Sequence, residues 1–247
     1  MKIARIAHAV MLAEGWRRAA IAFLAGAISA LAMAPINVWP MLFITFPVAV
    51  WLIDGSTGRG GGAWRAAVAG WWFGFGYFLA GVYWVGYAFL VDAKTFGWLL
   101  PVAVGGLPAY LAIYTAAGFA LARFLWVRGP ERVLALAISL TITEWLRGHL
   151  LSGFPWNTFG YALAEPLPLA QAVALAGIWG LTFLAVAICA SPAVFADERA
   201  DTPHPWRGPV LGALILAALA GYGGMRLWIN PTSYVKDVKL RMMQPNL

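Results

Sequence analysis

Residues 66–91 read AAVAGWWFGFGYFLAGVYWVGYAFLV, without one charged side chain. At about 1.5 Å of rise per residue, a helix of that length exceeds the roughly 30 Å of a bilayer's hydrocarbon core. Gly70 and Gly74 place two positions without side chains one turn apart, the small-xxx-small pattern that lets membrane helices approach closely. The second half is dense in aromatics, which suit helix packing and interface anchoring and also offer a lining for a lipid groove.

Working outward from that run, further apolar stretches lie at 19–34, 39–53, 96–126, from 133 onward, 167–195 and 209–229. The 247-residue chain is 62% hydrophobic and only 11% charged, against roughly 25% charged in soluble domains. The reading is an all-α integral membrane protein with about seven transmembrane helices over residues 1–230. Pro101 and Pro108 predict a broken or kinked start to the fourth span, and Gln171 a polar group turned toward other helices in the sixth. The uncharged stretch APINVWP (34–40) reads as a tight hairpin between the first two spans. The loop GSTGRGGGAWR (55–65) lacks the Gly-Lys-Ser/Thr ending of a phosphate loop and reads as a linker.

The net charge of +7 does not point to nucleic acid, because the basic residues form short clusters between apolar runs rather than one extended face. They read as topology signals. One side collects Lys2, Arg5, Arg17, Arg18, Arg59, Arg65, Arg123, Arg128, Arg132, Arg199 and Arg207, eleven in all. The other side holds Lys94, Arg147 and Arg226 in short loops, with Lys236, Lys239 and Arg241 after the last span. The N-terminus is therefore expected in the cytoplasm, with residues 230 onward and the loop at 153–161 on the outer side. Residues 2–34 read as an uncleaved first helix behind a long basic stretch; a signal peptide cleaved after Ala32 or Ala34 is the alternative.

Chemistry-bearing residues are few. Cys189 sits in an apolar run where a thiol behaves as a small hydrophobe, and with one cysteine no intrachain disulfide forms. His204 stands between prolines without a partner at metal spacing, so neither a metal nor a cofactor is expected.

The informative exception is EWLRGHLLSGFPWNTFGY, residues 144–161. Glu144 and Arg147 share a helix face and are placed to pair within or at the rim of a hydrophobic helix. Gly148, Gly153 and Pro155 then break the helix, and Phe154, Trp156, Phe159 and Tyr161 follow, interleaved with Asn157 and Thr158. Charged groups at such depth are costly and often functional. Amphipathic rings gathering at the interface and a snorkelling arginine explain the same residues without function.

The tail NPTSYVKDVKLRMMQPNL changes character: Val235, Val238, Leu240 and Met242 are spaced for a strand, and Gln244-Pro245-Asn246 begins a turn. Residues 231–247 thus read as the first strand of a soluble domain, left incomplete at Leu247.

Taken together, APINVWP, GYFLAGVYWV, EWLRGHLLSGFPWNTFGY and the closing MMQPNL, in that order over nearly all of the chain, resemble the apolipoprotein N-acyltransferase family of the bacterial cytoplasmic membrane. The resemblance implies a multi-pass inner-membrane domain followed by a periplasmic α/β nitrilase-like domain, of which residues 231–247 are the start, carrying a Glu–Lys–Cys triad. It implies acyl transfer from a phospholipid donor, through a thioester acyl-enzyme, to the α-amino group of the N-terminal S-diacylglyceryl-cysteine of an apolipoprotein. On this expectation the triad falls beyond Leu247, no catalytic residue is present, and the chain would not catalyse alone. Gly153, Phe154, Pro155 and Trp156 match the family's lipid-facing loop, with Glu144 and Arg147 as its support. Two other readings remain: a small transporter with broken helices around Glu144 and Gln171, and a non-catalytic lipid-binding scaffold.

Overall fold

The computed structural model describes residues 2–57, 61–151, 153–198, 201–231, 233 and 238–243. Among these the regular structure is entirely helical. The principal helices are α1 (Lys2–Met11), α2 (Gly15–Ser29), α3 (Leu42–Asp54), α4 (Gly62–Val82), α5 (Leu100–Phe124), α6 (Arg132–His149), α7 (Val173–Ala190) and α8 (Arg207–Ile229). Four helical segments are long and apolar enough to cross a membrane: Gly62–Leu90, Ala93–Phe124, Val173–Ala196 and Arg207–Ile229. The chain is thus a multi-pass helical membrane protein.

The remaining apolar runs also fold as helices, but shorter or more polar ones. Trp39–Asp54 is a shorter apolar helix. α2 has 15 residues and continues only as a 3-10 turn over Ala30–Ala32. α6 carries Arg132, Glu144 and Arg147 along its length.

Several element boundaries differ from the sequence reading, each for a local reason. The N-terminal stretch is a helix of its own, because the backbone turns at Gly15 (φ 54°) and separates α1 from α2. α1 then lays Ala7 and Val10 against α3 and the turn Ser191–Ala196, leaving Ile3 and Ile6 exposed. The run at 66–91 stays α-helical only to Val82 and tightens into a 3-10 segment, Tyr83–Leu90. The sixth run is interrupted: a short helix Leu167–Ala170 precedes α7, and Gly177 inside α7 is non-helical (φ 64°, ψ −179°). Pro101 occupies the first turn of α5, where its missing N–H costs nothing, and Pro108 lies within that helix. Gln171 is met by α8, whose Arg226 Nη1 donates to Gln171 Oε1 at 2.8 Å.

The tail's proposed strand falls partly on residues 235 and 244–247, outside the described residues. The part that is described, 238–243, forms no strand and leaves Leu240 and Met242 exposed. A single strand has no neighbour to satisfy its backbone groups.

α4 is the centre of the bundle, packed between α2 and α5. Toward α5 the predicted small-residue pair is used as such: a Cβ on Gly70 would meet Phe119 and one on Gly74 would meet Thr115, each at 2.7 Å. Toward α2 the approach is closer and reciprocal. A Cβ on Gly26 would stand 1.8 Å from the carbonyl oxygen of Phe73, and one on Gly76 would stand 2.1 Å from that of Phe23. Both obstacles are backbone, so no side chain can swing aside. Gly76→Ala is expected to force the two helices apart and cost about 1–3 kcal/mol, read as a lower unfolding midpoint in detergent. An unchanged midpoint would mean the two backbones are not held this close.

Candidate functional site

α6 delivers two charged side chains into the protein interior. Arg147 is 1% exposed and Glu144 5%, and they pair at 3.4 Å between Nη2 and Oε1. Their spacing of three residues puts both on the buried face of the helix. The pair is loose by itself; its remaining hydrogen-bonding capacity goes to the loop that follows.

The loop returns to the helix that launched it. Arg147 Nη1 donates to the carbonyl oxygens of Phe154 at 2.5 Å and Trp156 at 2.8 Å, and Nη2 reaches Thr158 Oγ1 at 3.4 Å. The guanidinium also lies 5.0 Å from the ring centre of Phe78 on α4, a cation–π contact. Glu144 Oε2 accepts from the backbone N–H of Phe159 at 3.1 Å. Thr158 Oγ1 donates to the carbonyl of Pro155 at 2.7 Å, and the N–H of Phe154 to that of Arg147 at 3.2 Å. Positive φ angles at Leu151 (59°), Gly153 (55°) and Asn157 (55°) supply the bends; at Gly153 the missing Cβ removes the usual penalty.

A second anchor comes from α4. The Tyr77 hydroxyl donates to the carbonyl oxygen of Asn157 at 2.7 Å. Phe159 inserts its ring among Tyr77 (4.7 Å between centroids) and Phe46 of α3 (5.0 Å, edge-on). Thus Thr158 and Phe159 are buried while Gly153, Pro155 and Trp156 are exposed and Phe154 is half-buried. Trp156 packs between Phe154 at 5.1 Å and Trp84 of the 3-10 segment at 5.3 Å, yet remains 50% exposed.

Trp156 and Asn157 line a cleft of about 360 Å³ together with Met33, Ala34 and Asn37 from the 34–40 hairpin and Tyr161, Ala164 and Glu165 beyond the loop. The two sequence stretches singled out as hairpin and motif therefore meet at one end of the bundle. The anchors from α4 were not named from sequence. Tyr77 and Phe78 lie in the aromatic run that was, but nothing in their local spacing shows which ring would reach a segment 80 residues away.

Cys189 is fully buried in α7 and lies among apolar neighbours. Among the described residues no cluster of His, Cys, Asp and Glu is placed to hold a metal ion.

Residues 25–191 match the apolipoprotein N-acyltransferase N-terminal domain. The apolipoprotein N-acyltransferase of Rhodopseudomonas palustris is 63% identical over 246 residues, covering 99% of this chain and 46% of that protein. That of Bradyrhizobium diazoefficiens is 59% identical over 247 residues, covering 100% of this chain and 46% of its own length. That of Brucella suis is 44% identical over 255 residues, covering 99% and 47% respectively. The chain spans about half the length of the curated relatives it matches. It belongs to the apolipoprotein N-acyltransferase family.

Proposed function

We propose that this chain forms the membrane part of an enzyme that N-acylates lipoproteins, and that its 150–160 loop borders the path of the acyl donor. The observation that carries this is the loop itself: a corner held by Arg147 and Glu144 that leaves Pro155 and Trp156 exposed, with Phe154 half-buried beside them, and sets Trp156 into the wall of a cleft. An amphipathic aromatic surface of this kind suits an acyl chain and the adjoining headgroup region.

In this reading seven helices cross the inner membrane, the N-terminus is cytoplasmic, and residues 231–247 open a periplasmic nitrilase-like domain. The triad of that domain lies C-terminal to the residues here. Its cysteine thiolate attacks the carbonyl carbon of a phospholipid ester, forming a thioester and releasing a lysophospholipid. The free α-amino group of the apolipoprotein's diacylglyceryl-cysteine then attacks the thioester, forming an amide and regenerating the thiol. This chain's contribution is to hold the donor's chain near that thiol; Glu144 and Arg147 are positioning residues, and no residue here serves as nucleophile.

The test is a chimera in which this chain replaces the matching region of the Rhodopseudomonas palustris relative. It should restore lipoprotein N-acylation, and Trp156→Ala within it should lower turnover about tenfold, the scale of losing one well-packed aromatic anchor, at unchanged folding. Full turnover by a well-expressed Trp156→Ala chimera would remove the loop from the donor path.

A further inference from the structure

The end of α4 remote from the 150–160 loop holds a second cavity. α4 rises about 30 Å along its 21 residues. Near its C-terminal end Gly81 abuts Asn157, and at its N-terminal end Trp64 and Arg65 face a cavity of about 410 Å³. The junction of α1 with α2 and the residues after α3 complete the walls.

Two guanidinium groups line this cavity, Arg18 and Arg65, near enough to repel one another. Arg18 uses Nη2 to reach the carbonyl of Leu52 and, at 2.6 Å, Ser56 Oγ, while its buried Nε–H meets no acceptor among the described residues. Arg65 Nη1 donates to the carbonyl of Thr57 at 3.1 Å. Glu14, exposed at the start of α2, offsets one of the two charges but does not cap the helix with its side chain, so the first-turn N–H groups add to the positive field. Among the described residues of its lining, two arginines stand against one glutamate, so the formal charge there is positive.

A second observation says what would fill it. Trp64 and Val68 also line an adjoining groove of about 270 Å³, completed by Ala67, Trp71 and Ala116, all apolar. Trp64 is 74% exposed and Val68 40%. A positively charged cavity thus shares Trp64 and Val68 with an apolar groove between α4 and α5, two segments long and apolar enough to cross a membrane.

We propose that this is a site for an anionic phospholipid, its phosphodiester against Arg18 and Arg65 and one acyl chain along the Trp64–Trp71 groove. The pairing of the two halves selects a lipid over a free anion, which would leave the groove empty. The excess of arginine over glutamate among the described lining residues favours an anionic headgroup over a zwitterion. The site stands apart from the acyl-donor path and does not depend on the acyl-transfer reading.

The test uses the delipidated chain in neutral detergent, titrated with dioleoylphosphatidylglycerol, dioleoylphosphatidylcholine or inorganic phosphate, and read by native mass spectrometry and thermal unfolding. Phosphatidylglycerol should bind saturably and raise the midpoint, with phosphatidylcholine at least about fivefold weaker and inorganic phosphate without effect. Arg65→Gln removes an exposed side chain and should weaken phosphatidylglycerol about fivefold, matching about 1 kcal/mol per basic residue at a lipid surface. Ala67→Trp should weaken both lipids by filling the groove. Arg18→Gln also breaks internal hydrogen bonds, so Arg65→Gln carries the decision. Equal binding of the two lipids, an unchanged Arg65→Gln, or stabilisation by phosphate equal to that by phosphatidylglycerol would each overturn the proposal.

Discussion

Arg147→Ala is expected to destabilise the protein by about 3–5 kcal/mol, the cost of removing one member of a buried ion pair. The loss has two parts. Glu144, 5% exposed, would be left in the interior with only the N–H of Phe159 as its partner. The carbonyls of Phe154 and Trp156, 2.5 and 2.8 Å from the guanidinium, would lose the donor that turns the loop back onto α6. The variants should therefore rank. Glu144→Ala leaves Arg147 with its loop carbonyls and costs less. Glu144→Gln keeps an acceptor for Phe159 and costs less again. Arg147→Lys retains charge but has one nitrogen where arginine uses two. It cannot serve the loop carbonyls met by Nη1 and also reach Glu144 and Thr158 as Nη2 does, and should recover only part of the Arg147→Ala loss. Thermal unfolding in detergent, with limited proteolysis at 150–157, checks the order. Wild-type stability and protection in Arg147→Ala would mean the loop is held by Tyr77 and Phe159 alone.

Much of this site was legible because its chemistry is local. Glu144 and Arg147 are one turn apart, and the loop they hold begins a few residues later, so spacing and the cost of charge in an apolar helix point to the pair. The same holds for Gly70 and Gly74, whose separation already implies a flat helix face. What spacing does not carry is the long-range partner. Arg132, Arg123 and Arg18 read as basic flanks that set topology, a pattern snorkelling side chains satisfy equally well. In the structure Arg132 is 4% exposed and pairs with carboxylates 65 and 78 positions away, while Arg123 Nε donates to the carbonyl of Ser56 at 2.9 Å. Likewise α1 was hidden inside one basic-then-apolar stretch, because the break at Gly15 is a backbone turn rather than a change of composition.

That buried arginine supports the other large effect. Arg132→Ala is expected to cost about 3–5 kcal/mol, since all three guanidinium nitrogens are engaged in a side chain that is only 5% exposed. Nη2 and Nη1 form a fork with Asp197, at 2.5 Å to Oδ1 and 2.9 Å to Oδ2. Nη1 also donates to the carbonyl of Gly129 at 2.7 Å, and Nε to Asp54 Oδ2 at 3.3 Å. Trp126 Nε1 and Thr202 Oγ1 complete the two carboxylates at 2.9 and 2.7 Å. One side chain thereby ties the start of α6 to the end of α3 and to the turn after α7. Its removal leaves two carboxylates facing each other. Arg132→Lys should recover less than half of the loss, because an ammonium is a point charge that cannot fork to Asp197 and reach Asp54 together. Adding Asp54→Asn or Asp197→Asn to Arg132→Ala should instead restore part of the stability, by removing one of the two charges left without a counter-ion. Thermal unfolding of the two double variants decides the matter: if neither gains on Arg132→Ala, charge repulsion is not what the arginine relieves, and its worth lies in the hydrogen bonds alone.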